Sequence, residues 1–333
     1  MPKKYIIIIA CVVSLLFVSV VWQVAETKIY SMAEQLAATI FGRPFNQLTV
    51  RDEQNIPMQL YNDGEKHYNA LFIASEALDE NDRRLLGEGS EHFVTLTDKL
   101  LDMVSIRDSI PYLYYDFDYP KYNQKAPWAS ALTQSVGMNA LANRAGMDRN
   151  LEVLGIAENM LRSLDPDVAD LSIALSDSSI WFMEYPAETP YFSLSGMMST
   201  LLHLHKYQEL TKNPLAQELF DKGFCALTAK LPEFDYHGYS YYNLDGTKAG
   251  RMYHQRHIML LGKLLEIRQD KVLRYYRDRW QHADSLPIIW QMLLNPRPRR
   301  IAAFVLSFLA LTALLYLLLA WTQKSGKSDP EHS

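Results

Sequence analysis

Cysteine is scarce in this chain: its two copies are Cys11, inside an apolar run, and Cys225, in the body of the sequence. An intradomain disulfide is therefore excluded, and two thiols say nothing of the redox compartment. Asn-x-Ser/Thr sequons are lacking too, which weighs toward a bacterial inner-membrane protein over one from a secretory pathway. Low-complexity tracts, a firm internal repeat and long linkers are all missing, so the chain is neither disordered nor fibrous. A net charge of -5 carries no strong signal toward any partner, and nucleic acid is not expected as one.

Apolar residues are plentiful. They make up 48% of the 333 residues against 21% charged, enough for one or two sizeable cores plus membrane segments. Two runs hold no charge at all: Tyr5 to Trp22, behind Lys3 and Lys4, and Ile301 to Trp321, behind Arg297, Arg299 and Arg300. As helices both can cross a hydrocarbon layer of roughly 30 Å, and both end in a tryptophan suited to the interface. The first also fits the start of a signal peptide, but it is long for one and VWQVAETK offers a poor cleavage site, so an uncleaved anchor is expected.

Lys3 and Lys4 assign the N-terminus to the cytoplasm, so the region from about 25 to 298 lies across the membrane and the second helix returns the tail. Arg297, Arg299 and Arg300 argue the other way. The first helix usually dominates, and the outward orientation is the one expected. The organisation read from this is an anchor over 1–24, a helical membrane-proximal region over 25–111, a catalytic domain over 112–298, a transmembrane helix over 299–322 and a polar tail over 323–333.

Between the anchors, apolar residues recur at helical spacing, as in SALTQSVGMNALANRAG, LEVLGIAENMLRSL and SGMMSTLLHLHKYQEL. Turn residues such as Pro166, Pro186, Pro190, Pro214 and Pro232 recur at intervals suited to antiparallel helix pairs. The expected fold is mainly α, a toroid or partial barrel of helical (α/α) hairpins flanked by one transmembrane helix at each end.

Three blocks hold more aromatic and polar residues than a plain helical core needs: 114–141, 178–210 and 231–267. They contain, in order, Trp128-Ala129-Ser130-Ala131 with Gln134, the stretch from Trp181 to Pro186, Phe192-Ser193-Leu194-Ser195-Gly196, Tyr242-Asn243-Leu244, and Tyr253-His254 with His257-Ile258. In order and content these motifs resemble the D-glucuronyl C5-epimerase family, over about residues 112 to 282. Three positions depart from the family pattern: Met183 replaces the first acid of a W-x-E-E-Y-P loop, Ser195 an asparagine, and Asn243 the aspartate of Y-D-L. The β-rich domain preceding the helical part in animal members has no evident counterpart.

The resemblance implies inversion of carbon 5 in polymeric uronic acids, D-glucuronate to L-iduronate being the type reaction. That needs two proton-transfer groups on opposite faces and donors that neutralise the carboxylate as it becomes enediolate-like. It implies no cofactor and no metal, because proton removal beside a carboxylate requires no hydride carrier. Glu184, set among Trp181, Phe182 and Tyr185, suits the acid–base role through desolvation. Tyr253 and Tyr242 are the candidate partners, and a tyrosine serving as base needs nearby cations.

From Lys248 to His257 the chain offers Lys248, Arg251 and Arg256 and no acid. A helix starting after Gly250 puts Tyr253, Arg256 and His257 on one face. Substrate-binding roles are expected for Tyr185, Arg251, Arg256, His254, His257, Trp128, Ser130, Gln134 and Trp181. Tyr185, Trp128, Tyr115, Tyr119 and Tyr122 can stack on sugar rings or simply fill a core. The pairs His203 with His205 and His254 with His257 suit structural roles better than metal binding.

The expected partners are a uronic-acid polysaccharide and a membrane, with a homodimer left open. Two other readings stand beside the epimerase: a polysaccharide lyase, which shares the first proton abstraction, and a non-catalytic polysaccharide-binding membrane protein.

Overall fold

The computed structural model describes residues 2–325, so the expected polar tail at 323–333 lies mostly outside the described residues. Two compact units emerge: Glu34–Gln281 is one, and the residues up to Ala33 together with those from His282 onward form the other. Helix α1 (Lys3–Phe41) contributes residues to both.

The larger unit begins with an antiparallel meander, β1 (Gln47–Arg51), β2 (Pro57–Tyr61) and β3 (Lys66–Tyr68). Reading 25–111 as helical therefore needs correction at this point. The strands are only three to five residues long and half-exposed, so their period-two pattern is too brief to stand out between longer helical runs. Helices α2 (Ala70–Leu85) and α3 (Glu91–Met103) follow, with Asn69 capping α2 by accepting from the Leu71 amide.

From here the chain repeats one pattern: a β-hairpin, then a helical hairpin. Strands β4 (Val104–Arg107) and β5 (Ile110–Leu113) precede α4 (Ala131–Asp148) and α5 (Leu151–Arg162). Strands β6 (Ser172–Ser176) and β7 (Ser179–Phe182) precede α6 (Leu194–Thr211) and α7 (Pro214–Lys230). Strands β8 (Asp235–Tyr236) and β9 (Tyr239–Ser240) precede α8 (Arg251–Ile267) and α9 (Lys271–Ser285).

Local chemistry sets the joints. Arg149 and Lys212 take left-handed conformations that end α4 and α6, and Asn150 and Asn213 cap the helices that follow. His237 and Gly238, both at positive φ (51° and 88°), form the tight turn between β8 and β9.

The first helix of each pair packs on the first helix of the next, α2 on α4, α4 on α6 and α6 on α8. The second helices α3, α5 and α7 pack on the outside of their own partners. This succession is the expected (α/α) toroid in partial form. The inner helix α4 is buried all round at its N-terminal two-thirds, every residue from Ala131 to Ala142 being enclosed, and for that reason it lacks the clear apolar stripe of α5.

The smaller unit holds the N-terminal part of α1, α10 (Ile288–Leu294) and α11 (Pro298–Ser325). Helices α1 and α11 are each long and apolar enough to cross a membrane. Trp22 packs on Phe304 at a centroid separation of 6.1 Å. Glu26 and Arg300 form a buried ion pair at 2.7 Å, and Gln291 accepts a second hydrogen bond from the same guanidinium at 3.1 Å. A charge pair enclosed in this way depends on such additional hydrogen bonds to offset its desolvation.

Candidate active site

The segments that enter α4, α6 and α8 are stitched together by backbone hydrogen bonds. The first amide of α4, on Ala131, donates to the Met183 carbonyl, and that of α6, on Leu194, donates to the Tyr242 carbonyl. Gln124 adds two more links, donating through Nε2 to the carbonyls of Tyr122 and Pro186. Residues far apart in sequence are thereby held at the N-terminal ends of three inner helices, where the helix dipoles favour negative charge.

Glu184 lies at the centre. Its Oε2 accepts from the Ser193 hydroxyl, and the nearby Tyr185 and Tyr242 phenols also favour its ionised form. Gly196 makes room for it: a Cβ there would come within 2.7 Å of both Cβ and Oε2 of Glu184. Burial pushes the Glu184 carboxyl above the ordinary range, while the hydrogen bonds and the Arg256 charge act in the opposite direction.

Around Glu184 stands a wall of aromatic rings. Tyr122 stacks on Tyr185 at 3.8 Å, Tyr115 stacks on Trp128 at 4.1 Å, and Tyr242 meets Tyr253 edge-to-face at 4.8 Å. Tyr119 and Tyr191 complete the cluster. Tyr253 lies in the first turn of α8, which begins at Arg251 just after Gly250, as the sequence indicates. Its ring meets that of Tyr242, and Arg256, one turn on, exerts its charge on both Tyr253 and Glu184.

The phenols differ from expectation in one respect. Burial and the nearby Glu184 raise the pKa of Tyr253, and Arg256 offsets this only in part. The same causes drive Tyr242 far above its ordinary value. Both are therefore neutral proton donors in the resting site, where the sequence asked for a tyrosine eased toward ionisation.

Four residues expected to bind substrate lie behind the site instead. Gln134 is fully buried and fully occupied, accepting from the Leu113 amide and donating to the Pro111 carbonyl and the Ser163 hydroxyl. Trp181 is fully enclosed and stacks on Phe234 at 5.8 Å. His254 accepts at Nδ1 from the Ser240 amide and faces the Trp280 carbonyl through Nε2, while the Ser240 hydroxyl bridges to Nδ1 of His257. Both histidines are enclosed and anchor the β8–β9 hairpin to α8. Burial lowers the His257 pKa well below its usual value and keeps the ring neutral.

Ser130 is buried at the start of α4, where its carbonyl accepts from the Gln134 amide. Trp128 is tied to the Phe117 carbonyl through Nε1 and keeps one ring face toward the cluster. Arg251 opens α8, and Tyr185 is central to the cluster. All three departures from the family pattern are enclosed as well: Met183 and Ser195 are buried, and Asn243 is fully buried with its amide donating to Asp245.

Sequence reading missed Ser193 and Lys121. Ser193 carries a recognisable signal, since a serine just before an apolar helical run is a helix cap. Lys121, between two tyrosines in a proline turn, carries a signal only once the turn is seen to fold over Tyr242.

Residues 107–282 match the family described as D-glucuronyl C5-epimerase C-terminus. The chain belongs to this family. The match runs from the end of β4 through most of α9 and contains every residue of the candidate site described above. A curated relative, an uncharacterized protein of Methanocaldococcus jannaschii, is 26% identical over 172 residues, covering 50% of this chain and 56% of that one. The chain thus spans little more than half the length of that relative. Among solved structures, a cellobiose 2-epimerase from Bacillus thermoamylovorans is similar at TM-score 0.49 and 11% identity, over 82% of this chain and 74% of that one. A GH76 alpha-mannanase from Bacteroides thetaiotaomicron is similar at TM-score 0.43 and 9% identity, over 83% and 72%.

Proposed function

We propose that this protein is a membrane-anchored C5-epimerase acting on uronic acid units of a polysaccharide, of the D-glucuronate to L-iduronate type. One observation carries the reading: a desolvated carboxyl, Glu184, shares an aromatic cleft with the phenols of Tyr242 and Tyr253, under the charge of Arg256. Such a site combines acid–base groups with a cation suited to a developing enediolate.

In the glucuronate-to-iduronate direction the Glu184 carboxylate takes the proton from carbon 5, and the electron pair delocalises into the sugar carboxylate. The Tyr253 hydroxyl then gives a proton to the opposite face, leaving a phenolate beside Arg256 and a protonated Glu184. Exchange with solvent resets both groups. Tyr119 and Tyr185, the part-exposed rings of the wall, meet the apolar sides of neighbouring sugars. In this reading α1 and α11 span the membrane and Lys3 and Lys4 hold the N-terminus in the cytoplasm, so the catalytic unit works outside it, in the periplasm of a bacterial cell.

The test is incubation of the full chain, purified in detergent, with uronic-acid polysaccharides in heavy water. Deuterium at carbon 5 with a new iduronate-type signal is the expected result. An unsaturated, ultraviolet-absorbing product identifies a lyase instead, and binding without any label leaves only a polysaccharide-binding protein.

A further inference from the structure

The aromatic wall carries a cation that the proton transfers above do not use. Lys121 lies in the short helical turn Pro120–Tyr122, and its ammonium sits 4.9 Å from the Tyr122 ring centroid and 5.8 Å from that of Tyr242. Both rings belong to the cluster around Glu184, and Tyr122 is itself stacked on Tyr185. The nearby Lys125 is paired with Asp118 at 2.5 Å. Lys121, among the described residues, has no carboxylate at ion-pair distance and feels Glu184 and Asp245 only through longer-range attraction.

Lys121 is an exposed residue, yet its ammonium lies close enough over the rings for lost solvation to lower its pKa. An ammonium that is partly desolvated without a paired anion is costly unless a ligand supplies the anion. The rings beneath it offer cation–π attraction, which holds the charge in place without neutralising it.

We infer that Lys121 is the specificity-determining cation of this site, binding the carboxylate of an acidic sugar unit brought up to the edge of the wall that Tyr122 and Tyr242 form. The sugar's identity as a uronate rests on the proposed function. The division of labour is chemical: Arg256 acts on the proton-transfer pair, and Lys121 distinguishes an acidic sugar from a neutral one. It is a positioning contact to the substrate and takes no part in the proton transfer.

The experiment compares binding of a glucuronate–hexosamine polysaccharide with that of the same polymer after its carboxyls are reduced to primary alcohols. The full chain in detergent is used as wild type, Lys121→Met and Lys121→Arg, with helical circular dichroism as the folding control. Wild type is expected to prefer the acidic polymer by about tenfold or more, the worth of a charge-assisted contact. Lys121→Met should bring the two polymers within about twofold of each other, and Lys121→Arg should restore part of the preference. On a turnover assay, Lys121→Met should raise KM far more than it lowers kcat.

A Lys121→Met protein that keeps the wild-type preference overturns the assignment, as does a wild type with no preference. Failure of the epimerase reading looks different. Wild type then places no deuterium at carbon 5, while a Lys121-dependent preference for the acidic polymer still stands.

Discussion

The Ser193 hydroxyl donates to Oε2 of Glu184 while its oxygen accepts from the Gly196 amide at 3.4 Å, so one side chain both caps α6 and holds the central carboxyl. The positive end of the helix is thereby coupled to Glu184 through a single hydroxyl. Replacing Ser193 with alanine removes a cap worth about 0.5–2 kcal/mol and a hydrogen bond that lowers the Glu184 pKa. In Ser193→Ala, the limb of the kcat/KM–pH profile governed by Glu184 should therefore move to higher pH, together with a lower melting temperature. An unchanged limb would detach Ser193 from the acid–base chemistry.

Glu184 and Tyr253 serve opposite faces of one carbon in the proposed reaction. Glu184→Gln and Tyr253→Phe, which nearly conserve volume, should each abolish net epimerisation while leaving the helical signal intact. Isotope exchange separates them, because the remaining group can still remove and return a proton on its own face. Wild-type epimerisation by both variants in heavy water would refute the two-group scheme, and an unsaturated product in either would favour the lyase.

Arg256 is the cation felt by both members of the proposed proton-transfer pair, Glu184 and Tyr253. Its replacement by alanine should cost on the order of 10²-fold in turnover, as loss of a preorganised charge typically does. Arg251, the other candidate cation of α8, lies five residues earlier at the start of the helix and is replaced in parallel. Near-normal turnover in both single variants removes the two arginines from the site.

Burial lowers His203 to about 3, and His257 is also lowered well below its ordinary value. Both rings are neutral when folded, whereas in the unfolded chain they take up protons near pH 6.5. Between those values the unfolded state binds more protons, so their contribution to stability is full above pH 6.5 and is lost as pH falls toward 3. Melting temperature followed from pH 7 to 4 should drop in wild type and drop less steeply in His203→Gln. Parallel curves would show that His203 is not among the groups responsible.

Much of the architecture was legible without coordinates because it is written in local patterns. Uncharged runs long enough for a membrane, apolar residues at helical spacing and prolines in the turns between helices each depend on neighbours within a few turns. The ordered motifs around Trp128, Glu184, Tyr242 and Tyr253 were enough to indicate the family for the same reason. The small β1–β3 sheet escaped notice because strands of three to five residues carry too little periodicity.

Tertiary structure alone decided which motif residues face the cleft. Trp181 and Gln134 belong to the same motifs as Glu184 and Trp128, yet they turn into the core, where stacking on Phe234 and a full set of hydrogen bonds hold them. His254 and His257 share the first turns of α8 with Tyr253, but Ser240 and the Trp280 carbonyl draw them behind the site. Ser193 and Lys121 reach the centre through links between distant segments, from Leu194 to Tyr242 and from Gln124 to Pro186. A linear pattern specifies which face of a helix is apolar. It cannot specify which buried neighbour a side chain meets, because that is set by long-range packing between helices separated by fifty or more positions along the chain.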